Sequence, residues 1–139
     1  MGGRSRSSTS RLCPSGTTSA ITGLPSGAGT SILARRWSEP DGFFIALRTS
    51  GGTRELWRVA TSGAATKVGT YPAPPSTVTL TANARLDRAG RLFSFGTDNT
   101  TSFIDVIVRS EVGATTDVVY SEASNPLVKI HGSSLVTGP

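Results

Sequence analysis

Residues Trp37 to Tyr71 are echoed, imperfectly, by Leu86 to Tyr120, and this duplication limits the possible folds more than any single residue does. The first copy runs Gly42-Phe43-Phe44-Ile45-Ala46-Leu47, then Glu55-Leu56-Trp57-Arg58-Val59, then a turn at Gly63. The second runs Gly90-Arg91-Leu92-Phe93-Ser94-Phe95, then Asp105-Val106-Ile107-Val108-Arg109, then a turn at Gly113. The offset is 48 residues between Gly42 and Gly90 and 50 between Gly63 and Gly113, so one connection is two residues longer in the second copy. Short apolar runs separated by glycine turns at a period near 50 are a signature of propeller blades or stacked β units.

The runs between turn signals read as strands. In the first copy these are Ser31 to Trp37, Phe43 to Arg48, Glu55 to Ala60 and Thr66 to Tyr71, and a short apolar piece, Ala20-Ile21-Thr22, precedes them. Pro40-Asp41-Gly42 is a turn because proline presets φ and glycine accepts a positive φ at the exit. Ser50-Gly51-Gly52 is a hairpin apex, and Pro72, Pro74 and Pro75 end the sheet because proline has no N–H to give to a ladder. The second copy predicts Val78 to Leu86, Arg91 to Gly96, Phe103 to Arg109 and Thr116 to Tyr120, with Asp98-Asn99 at the apex. Leu127 to Ile130 would then begin a further strand.

These runs predict an all-β fold of two propeller-like, four-stranded antiparallel blades, with a β-sandwich as the alternative. A sandwich strand has one wet face and should alternate apolar with polar residues. Phe43-Phe44-Ile45-Ala46-Leu47 has no polar member, as expected of a strand covered on both faces, whereas Thr66, Lys67 and Thr70 return polarity to the outer strand. The domain reading is a polar Ser/Gly-rich arm over 1–17 and a repeat domain over 18–139. Its copies span about 31–75 and 77–125, and the start of a further strand falls in 126–136. Two blades do not make a ring of typically four to eight, so a longer polypeptide, a ring of copies or a face-to-face collapse all remain open.

Composition narrows the function. With 139 residues and an apolar share of 36%, the chain is long enough for one core, and its 16 glycines and 8 prolines suit many short strands. No apolar stretch approaches the roughly 20 residues of a membrane-spanning helix. The formal charge of +5 is uneven: Arg4, Arg6 and Arg11 lie in an acid-free start, and from residue 12 eleven basic residues face nine acidic ones. That distribution argues for a basic arm and against nucleic acid as partner of the folded part. The first eleven residues carry charge without an apolar core and do not read as a secretory signal.

Trp37-Ser38-Glu39-Pro40-Asp41-Gly42-Phe43-Phe44-Ile45-Ala46-Leu47, followed by Gly52-Thr53-Arg54-Glu55-Leu56-Trp57-Arg58-Val59, resembles the WD40-like propeller repeat of TolB-type proteins. Glu39 is an insertion in that motif, and Leu86-Asp87-Arg88-Ala89-Gly90 keeps only its acid and turn glycine. The resemblance implies a propeller and a surface for protein or peptide partners. It transfers no catalytic residue.

No constellation of residues points to an enzyme. His131 is the single histidine and Cys13 the single cysteine, so no His/Cys zinc set can form, and no Gly-x-Ser-x-Gly elbow is present. Asp41, Asp87 and Asp105 fall where carboxylates commonly accept from local backbone N–H groups. Asn99-Thr100-Thr101 is a formal glycosylation sequon. No cofactor is expected. The candidate ligand-binding residues are Trp37 and Trp57, placed to stack on a sugar or clamp a peptide, and Arg35, Arg36 and Arg85, placed as a basic rim on the first strands. The plainer accounts are tryptophans packed between sheets and edge charges that discourage aggregation.

The expected function is a non-enzymatic binding or scaffold module that presents loops 49–54, 97–102 and 72–77 to a protein partner or to copies of itself. The alternatives are a structural subunit of a larger assembly that uses its N-terminal arm, and a carbohydrate-binding module.

Overall fold

A computed structural model describes residues 20–38, 42–100 and 103–123. The expected strand at Leu127–Ile130, the arm, Cys13, His131 and the turn residues Pro40 and Asp41 lie outside them. Among the described residues eight strands form: β1 (Ser31–Ser38), β2 (Gly42–Arg48), β3 (Arg54–Ala60), β4 (Ala65–Thr70), β5 (Val78–Leu86), β6 (Leu92–Asp98), β7 (Ile104–Ser110) and β8 (Thr116–Ser121). They make two four-stranded antiparallel meanders, β1-β2-β3-β4 and β5-β6-β7-β8. The fold is all-β, as expected. The two sheets approach each other most closely along their first strands, β1 and β5, and do not close a ring.

Strand register explains why β2 is dry on both sides. Opposed residues of an antiparallel pair share a face. Ala46 lies opposite Ala34 and Leu56, whereas Ile45 lies opposite Arg35 and Trp57. Ala46 and Leu56 join Tyr71, Ala84, Leu86 and Leu92 in the core between the sheets, with Phe44 and Val112 packed against it. Ile45, Leu47 and Val59 form a second cluster on the far face, covered in part by Leu24, Trp57 and Ala65. A third cluster, Val78, Val106 and Val108, lies within the second sheet. Burying a side chain of this size contributes about 1.5–3 kcal/mol, so alternate residues of one strand stabilise two separate interfaces.

The lengthened connection can now be located. The β2–β3 and β6–β7 hairpins span 49–53 and 99–103 and are equal in length, whereas β1 to β2 takes residues 39–41 and β5 to β6 takes 87–91. Pairing the two turn glycines by sequence therefore misplaces the shift. Structurally Gly42, opposite Ala60, corresponds to Leu92, opposite Ser110. The additional residues sit in a turn organised by Asp87, whose Oδ1 accepts from the Ala89 and Arg91 N–H groups at 2.9 Å while its Oδ2 pairs with Arg91 Nε at 2.6 Å. This is the local role expected of that carboxylate.

The apolar piece near Ile21 joins the first sheet. Thr22 makes a single parallel bridge to Ala64, at the start of β4, and so extends the first sheet at its outer edge.

Buried Tyr71 and Arg54 are among the polar groups that join the sheets. The Tyr71 hydroxyl, buried, donates to the Gly90 carbonyl at 2.7 Å. Arg54, also buried, donates from Nη1 to Ser110 Oγ at 2.9 Å and from Nη2 to the Pro72 carbonyl at 2.7 Å and Thr116 Oγ1 at 3.4 Å. Its guanidinium also lies 5.9 Å from the centre of the Tyr71 ring. Burial lowers the Arg54 pKa, and burial raises that of Tyr71. Through the Arg54 guanidinium the start of β3 meets Ser110 at the end of β7.

Candidate functional site

The open edges of β1 and β5 border two adjoining hollows. One, of about 390 Å³, is lined by Ile32, Leu33, Ala34, Arg35, Ala84 and Arg85. The other, of about 400 Å³, is lined by Arg35, Arg36, Trp37 and Phe43. Arg35 belongs to both. Four of the five sequence-nominated residues therefore meet along one groove, and no acidic residue is among the described residues that line it.

Strand alternation sets their roles. Arg35 and Trp37 are two apart on β1 and share the face that carries Ile45 and Phe43. Arg36 points to the opposite face and donates from Nη1 to the Leu86 carbonyl at 3.4 Å, which helps hold β1 to β5. Arg85 donates to its neighbour Ala84's carbonyl at 3.0 Å. Neither Arg35 nor Arg85 makes an ion pair among the described residues.

The tryptophans separate. Trp37 is 64% exposed, and the edge-to-face contact with Phe43, at 5.5 Å and 67°, props its ring instead of covering it. Trp57 packs on the Ile45–Val59 cluster and donates from Nε1 to Glu55 Oε1 at 2.9 Å. Glu55 also accepts from Lys67 at 2.8 Å, and these hydrogen bonds, Lys67's foremost, hold its carboxyl below the usual carboxylate range. Trp57 shares this sheet face but is a packing residue and lines neither hollow.

A second exposed feature sits at the β6–β7 hairpin. Phe103 is 84% exposed beside a shallow hollow of about 200 Å³ that also takes in Ile104, Asp105, Glu122 and Ala123. Hydrogen bonds brace the hairpin: Asn99 N–H to the Thr77 carbonyl at 2.9 Å, Asn99 Nδ2 to Thr79 Oγ1 at 3.3 Å, and Thr100 Oγ1 to Asp98 Oδ1 at 2.6 Å. Sequence reading marked this loop but passed over Phe103, taking it as the first residue of β7. Its place directly before the strand, after a polar apex, was the available signal.

Among the described residues no group of three or more His, Cys, Asp or Glu gathers as a metal site would require, and no helix is long and apolar enough to cross a membrane. Comparison with protein-family models, curated proteins and solved structures returned no match.

Proposed function

We propose that the chain is a non-enzymatic, propeller-like binding module that holds a braced hairpin out to a protein partner. The observation that carries this reading is Phe103, 84% exposed at the foot of a hairpin braced by hydrogen bonds among Thr77, Thr79, Asp98, Asn99 and Thr100. An exposed aromatic side chain beside a braced strand end is the kind of anchor that contributes most to a protein interface. Further support comes from the two meanders, which converge at their first strands as adjacent blades do, and from the resemblance of residues 37–59 to the WD40-like repeat.

The test is a photo-reactive phenylalanine analogue at position 103, irradiated in the cells that produce the protein. The reading expects one discrete adduct with a different protein, suppressed by excess unlabelled chain and not by excess Phe103→Ser. No adduct, or adducts only between copies of the chain, would remove it; the second result would favour the assembly subunit instead.

A further inference from the structure

We propose that the groove along β1 and β5 binds single-stranded nucleic acid, with Trp37 as a stacking platform for a base and Arg35 and Arg85 as phosphate contacts. The site is separate from Phe103 and does not depend on the protein-partner reading.

Charge counted along the chain argues against such a partner, because acids nearly balance bases beyond the arm. Folding redistributes that charge. Arg35, Arg36 and Arg85 are brought around two adjoining hollows whose described lining holds no acid, while Asp87 caps its own turn beside Arg91 and Glu55 holds Lys67 and Trp57. A cationic channel of this kind concentrates polyanions.

The geometry then discriminates among polyanions. Two residues along a strand are roughly 7 Å apart, so Arg35 presents a guanidinium next to the open face of Trp37. A flat ring followed by a cation matches a ligand that alternates flat bases with phosphates, the recognised mode of single-strand binding. An acidic peptide offers carboxylates but no obligatory flat ring. Pairing of a peptide strand onto either edge is also interrupted, since β1 carries a register shift between Ile32 and Ala34 and β5 one between Leu80 and Ala84. A duplex keeps its bases stacked inside and cannot offer one to Trp37.

The experiment measures fluorescence anisotropy of a labelled twelve-nucleotide oligothymidylate with the full chain. Two to three phosphate contacts predict that affinity falls about 7- to 20-fold between 50 and 200 mM salt. Trp37→Ala should weaken binding about 5- to 150-fold, the range of one lost base stack, and Arg35→Glu with Arg85→Glu should abolish measurable binding. In a Trp57→Phe background, the oligonucleotide should quench Trp37 emission. Circular dichroism of the Trp37, Arg35 and Arg85 variants should match the parent, because these three side chains are exposed. The proposal is overturned if the groove variants bind as tightly as the parent or if reversing Arg4, Arg6 and Arg11 alone removes binding. Equal affinity for a duplex of the same length, or equal displacement by heparin or a glutamate decapeptide at matched charge, would overturn it too.

Discussion

The Tyr71 hydroxyl donates to the Gly90 carbonyl at 2.7 Å, tying the end of the first sheet to the turn that opens the second. Tyr71 follows directly on β4, and Gly90 lies between β5 and β6, so one hydrogen bond fixes the sheets at a point where no strand pairing joins them.

Removing that bond tests its worth. Tyr71→Phe leaves the Gly90 carbonyl buried without its donor, which costs about 1–3 kcal/mol. Urea unfolding should show a lower midpoint with an unchanged slope.

The same residue sets an alkaline limit. Burial raises the Tyr71 pKa in the folded state above its ordinary value of 10.0. Below pH 10 neither state of the chain ionises it, and its contribution is complete. Above pH 10 the unfolded chain releases the proton first, so stability falls as pH rises. Tyr71→Phe should flatten that alkaline decline, measured as unfolding midpoint between pH 8 and pH 11.

Arg54 should resist even conservative replacement. Arg54→Lys keeps the charge but cannot reach Ser110, Pro72 and Thr116 together, and the loss of charged hydrogen bonds amounts to about 1.5–3 kcal/mol. Arg48→Lys, at an exposed position, should stay within about 0.5 kcal/mol of the parent. Thermal unfolding of the two variants side by side checks the contrast.

Two glycines should differ although both have positive φ. Gly90 (φ 85°) and Gly113 (φ 74°) would each charge an alanine about 1–2 kcal/mol for the left-handed conformation. A Cβ at Gly90 also falls 2.7 Å from Leu56 Cδ2 in the core, whereas one at Gly113 meets nothing within 4 Å. Gly90→Ala should therefore destabilise more, with the difference read from paired denaturation curves.

The tryptophans can be told apart in solution. Acrylamide should quench Trp37, observed alone in Trp57→Phe, several-fold more steeply than Trp57, observed alone in Trp37→Phe. Equal quenching would contradict the placement of both rings.

Much of the strand pattern was legible because local chemistry marks strand ends. Val78 to Leu86 was read with both its ends correct, and Phe43 to Leu47, without a polar member, signalled cover on two faces. What escaped depends on contacts distant in sequence. Nothing local distinguishes Arg54, paired with residues 56 and 62 positions away, from exposed Arg48. The two-residue shift was assigned around aligned glycines, but the register sets Gly42 against Leu92, because an Asp87-capped turn absorbs the added length. The arginines Arg35, Arg36 and Arg85 were nominated together as a rim on the first strands, and the hollows they line follow from β1 meeting β5. Trp37 and Trp57 looked alike in sequence, and only strand position separates an edge ring from a packed one.

Tyr71 and Arg54 tie the two sheets into one folded unit. Native-state hydrogen exchange tests this at Ala46 in β2 and Val106 in β7, both fully buried. These amides should exchange only through one shared opening, with equal opening free energies that fall together in Tyr71→Phe. Exchange of Val106 within minutes while Ala46 stays protected would contradict it.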